Sequence, residues 1–234
     1  ALQAATLAKV TLPIPLWLLI PIQVAQNAVL FAVTTAIGLF LAYRIGLGAP
    51  ILERFLDHEH VGDRVKAILL PSIILGIVAA LVVIGLDAFV FGPALQAQLG
   101  GLTANVNVSI AKPAPWQGFL ASFYGGIDEE ILMRLFLLSL IAFLGKFASH
   151  TAEGRPTVWV LWVANILVAV IFGLGHLPAT ANLVPITPLV VVRAIVLNGL
   201  AGLVFGYLYF TRGLESAMLS HFSADIVLHV LFAI

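Results

Sequence analysis

The sequence predicts an all-α fold: one bundle of about six membrane-spanning helices with a polar cavity inside it. Three observations predict this. Of 234 residues, 62% are hydrophobic and 9% are charged, against about 45–50% apolar and about 25% charged in soluble domains. The apolar residues fall in long runs, and ~20 residues suffice to cross a bilayer as a helix. Lipid offers backbone groups no partner, so each run has to satisfy its own N–H and C=O groups by folding as helix.

The first span covers roughly Ile14 to Tyr43. A polar connection, Arg44 to Lys66, follows and holds the charged cluster Glu53 to His60. The second span covers roughly Ala67 to Phe91. Gly92 to Pro115 is polar and rich in turn residues, and reads as a connection. The third span, roughly Trp116 to Phe147, carries Glu129, Glu130 and Arg134. His150 to Pro156 is a short loop. The fourth span runs from about Val158 to His176, and the proline-rich, mostly uncharged stretch Pro178 to Pro188 follows it. The fifth covers roughly Leu189 to Phe210. Thr211 to Glu215 is a tight turn, and the sixth runs on to Ile234. No internal repeat or low-complexity segment interrupts the series, so residues 1–234 read as a single transmembrane domain.

The formal net charge is zero and there are no cysteines. The first excludes a basic field for nucleic acid. The second excludes disulfides, thiolate metal sites and a cysteine nucleophile. The chain begins at Ala1 rather than Met, which points to further residues upstream. The first apolar run is too long for the h-region of a signal peptide. The protein is expected in a plasma or internal membrane, with membrane lipid as its surroundings. Lys and Arg collect on the cytoplasmic side of membrane proteins. One side holds Arg44, Arg54, Arg64, Lys66, Lys146, Arg155 and Arg212, and the other holds Lys9, Lys112 and Arg193. The first side is therefore expected to be cytoplasmic, with both termini outside for an even span count. Trp159 and Trp162 suit an interfacial belt at the cytoplasmic start of span four.

Charges inside hydrocarbon are the informative residues. Each costs about 2.5–3.5 kcal/mol at the bilayer centre on insertion scales, and nothing about spanning requires it. Glu130 and Arg134 are spaced i,i+4 and share a helix face. The pair is a structural clip on that reading, which leaves Glu129 without a partner in its own helix. A desolvated Glu129 facing a polar cavity suits a general base. His176 ends span four behind Phe172-Gly-Leu-Gly. His221, Asp225 and His229 are spaced i, i+4, i+8 and form one polar stripe on span six. Carboxylates and imidazoles on three helices could converge on one cavity, an inventory suited to water activation and oxyanion stabilisation in amide hydrolysis. There is no nucleophile-elbow serine and no His-Glu-x-x-His helix. Two other classes compete: an ion- or proton-coupled transporter with midplane ligands, against which the absence of a repeat counts, and an inactive membrane scaffold.

The ordered set Glu129-Glu-x-x-x-Arg134, Phe172-x-x-x-His176 and His221-x-x-x-Asp225 resembles the CPBP family, which includes type II CAAX prenyl proteases, bacteriocin-processing proteins and Abi-type proteins. The resemblance covers residues 116–234. It implies an intramembrane endopeptidase with a cavity open to the cytoplasmic side, acting on a peptide or a lipidated protein. It assigns water activation to Glu129 and His176, the oxyanion or a metal to His221 and Asp225, and supporting places to Glu130, Arg134 and Phe172. Asp225 stands where many relatives have Asn. An ionised Asp cannot donate to an oxyanion, so Asp225 would be protonated, bind a metal or orient His221. Glu129, His176 and His221 would suit one zinc ion with a fourth position for water. The same residues suit a metal-free glutamate mechanism, and the sequence leaves both open. Helix rise places Glu129 and His221 in the cytoplasmic half but His176 towards the outside. Convergence then requires span four to tilt or stop mid-membrane, with Pro178 to Pro188 re-entrant.

Overall fold

The computed structural model describes residues 15–100 and 114–232. Ile14, Ile234, Lys9, Lys112 and most of the 92–115 connection, all used in the readings above, lie outside the described residues. Among the described residues the fold is entirely helical. Helix α1 is Leu16–Ile45 and α2 is the short Pro50–Leu56. Helix α3 starts as Gly62–Leu86 and continues unbroken through Asp87–Phe91 and Gly92–Gly100. Helix α4 is continuous over 115–145. Helix α5 is Val158–Gly175, α6 the single turn Leu177–Thr180, and α7 Pro188–Arg212. Helix α8 is Leu214–Asp225, extended by Ile226–Leu231.

Four of these segments are long and apolar enough to cross a membrane: Trp17–Ile45, Gly62–Gln98, Val158–Thr180 and Pro188–Arg212. The other two expected segments form the helices α4 and α8, which are not among these four. Asp128, Glu129, Glu130 and Arg134 set α4 apart from the purely apolar helices, and the polar residues of α8 do the same there. The surface is apolar along the helix shafts, with Trp17, Val29, Phe40, Leu70, Phe89 and Ile166 all exposed. Such a belt fits a lipid solvent and does not fit water. The chain is an integral membrane protein.

Two expectations change. Residues 92–100 are helix rather than turn, so the second span runs well past Phe91. Pro93 would break an α-helical ladder by removing a donor. The chain absorbs it by widening the preceding turn: Gly92 N–H reaches back five residues to the Asp87 carbonyl. Pro178 to Pro188, expected as one irregular stretch, holds the one-turn α6 and a turn that lead into α7.

The core lies among α1, α4, α5, α7 and α8. Ala42, Leu135, Leu138, Ala164, Val168, Phe205, Tyr209 and Ala217 form one buried cluster. Small residues on α1, α5 and α8 let the helix axes approach. Polar links fix the register: Ser72 shares a 2.7 Å hydrogen bond with Ser216 between α3 and α8. Ser139 shares one of 2.6 Å with Tyr209 between α4 and α7.

The connections sort to two ends. At the basic end, Leu214 N–H donates to the Gly48 carbonyl, and the Glu215 carboxylate accepts from Ile51 and Leu52 N–H. At the opposite end, Thr187 Oγ1 donates to Gln98 Oε1. Strict alternation of helix direction then gives every side chain a depth relative to these ends.

Candidate active site

A cavity of about 320 Å³ opens among α3, α4, α5, α7 and α8. Glu129, His176, His221 and Asp225 all line it, and so does Phe172. Helix α5 starts near Val158 and ends at Gly175, as its apolar run predicts, so His176 sits at the helix terminus. No mid-membrane stop is needed. The cavity occupies the half of the bundle opposite the basic loops, and α4 and α8 bring Glu129 and Asp225 to that half from their middles. The basic loops and the cavity therefore belong to opposite ends.

Beneath the cavity Glu130 and Arg134 are fully buried. Arg134 Nη1 donates to Glu130 Oε1 at 2.8 Å, and Nη2 donates to the Gly202 carbonyl at 3.0 Å. The guanidinium also stacks against Phe172 and Phe205, 4.9 and 5.4 Å from the ring centroids. The i,i+4 clip is present, but it does more than clip. Glu130 Oε1 lies 2.7 Å from His221 Nδ1. A carboxylate accepts, so Nδ1 carries the proton and donates. Phe205 stacks on the same imidazole, with centroids 4.4 Å apart, and Phe172 meets it edge-on.

The other His221 nitrogen faces the cavity. Nε2 is 3.8 Å from Glu129 Oε2 and 3.6 Å from Asp225 Oδ1. Asp225 Oδ1 is in turn 3.8 Å from His229 Nε2, so the polar stripe of α8 forms as spaced. Orientation of His221 falls to Glu130, through a close hydrogen bond on Nδ1, while Asp225 faces the working nitrogen. His176 Nδ1 is 2.7 Å from the Phe172 carbonyl. That carbonyl can only accept, so Nδ1 carries a proton and donates, while Nε2 is left to the cavity.

Gly118 makes the approach of α4 and α8 feasible, since a Cβ there would collide with the His229 backbone carbonyl, and Gly125 leaves room for a side chain of α8. A Cβ at Gly125 would collide with the Asp225 carboxylate. The helices around the cavity also carry wide, π-helical turns: Asp87–Phe91, Tyr124–Glu129, Ile131–Leu138 and Ile226–Leu231. Such turns are rare and recur at functional sites. Each redirects the side chains after it.

Several lining residues escaped the sequence reading. Arg193 counted there as a loop charge. It sits in the second turn of α7, and its guanidinium forms a double hydrogen bond with Asp87, both distances 2.7 Å. The same cost argument that singled out Glu129 applies to Asp87 in its apolar helix, and would have found it. Phe205 has no such signal, being one more apolar residue in an apolar helix. Among the described residues no group of three or more His, Asp or Glu side chains is arranged to hold a metal ion. Glu129, His176 and His221 share the cavity wall without forming a ligand set, so the residues present do not fit the zinc site that the sequence allowed.

Residues 111–227, half of the chain, match the family model described as type II CAAX prenyl endopeptidase Rce1-like. No curated protein matches the chain. No solved structure matches it either.

Proposed function

Since the chain belongs to the type II CAAX prenyl endopeptidase Rce1-like family, we propose that it is an intramembrane endopeptidase in which Glu129 and His221 act on water and substrate without a metal. The observation that carries this reading is the two-sided environment of His221. Glu130 holds Nδ1–H, and Nε2 looks into a cavity wall shared with Glu129. A fixed tautomer with a directed second nitrogen is what proton transfer needs.

The roles follow from the contacts. Glu129 takes a proton from water as the oxygen attacks the scissile carbonyl carbon, and later returns it to the leaving amine. The lone pair on His176 Nε2 accepts the second hydrogen of that water and so aims its oxygen. His221, as imidazolium with Glu130 as its buried counter-ion, turns Nε2–H towards the developing oxyanion. Asp225 faces that nitrogen at 3.6 Å in the resting site. Substrate carbonyl replaces it, and the oxyanion then meets a donor that is already oriented. The substrate class is a peptide with a CAAX-type C-terminus presented from the membrane.

The test is hydrolysis of a CAAX peptide, prenylated and unprenylated, by the purified protein in detergent. Cleavage that survives a chelator and vanishes in Glu129→Gln supports the proposal. Cleavage lost with chelator and restored by zinc overturns the metal-free mechanism. Unchanged cleavage in Glu129→Gln overturns the role of that residue.

A further inference from the structure

At the basic end of the bundle lies a second cavity, of about 720 Å³. It is far from the catalytic cavity and shares no lining residue with it. Four arginines reach it from four separate segments: Arg44 from the end of α1, Arg64 from the start of α3, Arg155 from the 146–157 connection and Arg212 from the end of α7. Two carboxylates, Glu53 and Glu153, stand against them. Glu53 is already engaged, since its Oε1 accepts from Ala49 N–H at 3.0 Å. The neighbouring Glu215 is spent on the N-terminus of α2, accepting from Ile51 and Leu52. Among the described residues, none of the ion pairs within 4 Å includes any of the four arginines.

The arginines make few other commitments. Arg212 Nη1 donates to the Ala67 carbonyl at 3.3 Å, and Arg44 lies 4.7 Å over the Phe40 ring. Gly46 shapes the floor. Its φ is +72°, and a Cβ there would sit 2.8 Å from the Arg155 guanidinium carbon. The chain thus turns tightly to let Arg155 lie over the backbone. Convergent like charges repel, and an anion between them removes the penalty. Guanidinium groups bind phosphate oxygens in pairs. Basic pockets between helices at a membrane boundary bind anionic headgroups.

We propose that this cavity binds a phosphate-bearing anion, held by Arg44, Arg64, Arg155 and Arg212. The same chemistry is offered by the headgroup of an anionic phospholipid and by free phosphate. Thermal unfolding of the full chain in neutral detergent separates the sources, at matched ionic strength, with phosphatidylglycerol, phosphatidylcholine or inorganic phosphate added. The expected result is a Tm rise of about 5–10 °C at a hundredfold excess over Kd with phosphatidylglycerol, none with phosphatidylcholine, and loss of the rise in Arg64→Gln/Arg155→Gln. A rise with phosphatidylglycerol alone assigns a lipid site, and a rise with inorganic phosphate as well assigns a free-anion site. The anion-free Tm of the double variant is measured alongside, so that loss of the Arg155 contact over Gly46 is told apart from loss of the anion. No rise with either anion, an equal rise with phosphatidylcholine, or a rise retained in the double variant overturns the proposal. Native mass spectrometry of the parent and of Arg44→Gln gives a second readout, and equal phosphatidylglycerol adducts on both would also overturn it.

Discussion

Glu129 and Glu130 are adjacent in sequence and opposite in task. Glu130 is sealed under the cavity and holds both Arg134 and His221. Glu129 lies on the cavity wall with only a 3.8 Å approach to His221. Glu129→Gln should therefore cut kcat/KM by about 10²–10⁴ and leave Tm nearly unchanged. Glu130→Gln removes one member of a buried charge pair, which typically costs about 3–5 kcal/mol. It should lower Tm visibly and activity with it. Thermal melting and peptide hydrolysis of both variants check the division, and a stable, fully active Glu130→Gln protein would contradict it. Asp225 gives a third case. Its carboxylate faces the working nitrogen of His221, so Asp225→Asn keeps the shape, supplies a donor and should retain substantial activity. Asp225→Ala empties that place and should lose most of it. The measurement is kcat/KM on one peptide across pH 5–9. Equal loss in Asn and Ala would mean that the carboxylate charge itself is required.

At the scale of helices the site depends on close passage of α4 and α8. Gly125→Ala puts a methyl group where the Asp225 carboxylate now lies. The predicted outcome is a loss of activity well beyond tenfold with the catalytic side chains all present, read against the Tm of the same variant. Unchanged kinetics would show that the Asp225 carboxylate moves aside without cost to the site. This scale also explains what could be read in advance. The helix positions followed the apolar runs closely, because charges and prolines end those runs. Glu129, His176, His221 and Asp225 stood out because polar groups in hydrocarbon are costly. The Glu130–His221 bond joins residues 91 positions apart, and no local pattern encodes it. The extension of α3 past Phe91 was missed because Pro93 and the nearby glycine and glutamines look like a turn, and only a widened helical turn accommodates them. Arg193 looked like a loop charge because its partner, Asp87, lies on another helix.

For the molecule as a whole, the two cavities define its axis. The arginine-lined cavity lies at the basic end of the bundle and the Glu129 cavity in the other half. The chain has no cysteine, which makes single-site labelling clean. Asp57→Cys, near the arginine cavity, and Asn182→Cys, near the catalytic one, should react with an impermeant thiol reagent from opposite sides of sealed vesicles. Labelling of both from one side would refute the alternation of helices described above. The side that labels Asn182→Cys is the side on which the connection between α5 and α7, next to the Glu129 cavity, lies.

The widened turns have a consequence for how this protein tolerates change in length. In a regular α-helix, removing one residue rotates everything beyond the cut by about 100°. Each π-helical turn is equivalent to one residue inserted into such a helix. Around the cavity, Tyr124–Glu129 and Ile131–Leu138 hold two such turns on either side of Glu130. The placement of Glu129 and Glu130 is thus written in a residue count as well as in residue identities. A single deletion within Ile131–Leu138 could return that stretch to regular helix without unfolding it, yet it would swing the carboxylates of Glu129 and Glu130 away relative to the core-facing leucines that anchor the helix. Substitutions there can be conservative in chemistry and harmless, whereas an indel that preserves every motif letter would disarm the site.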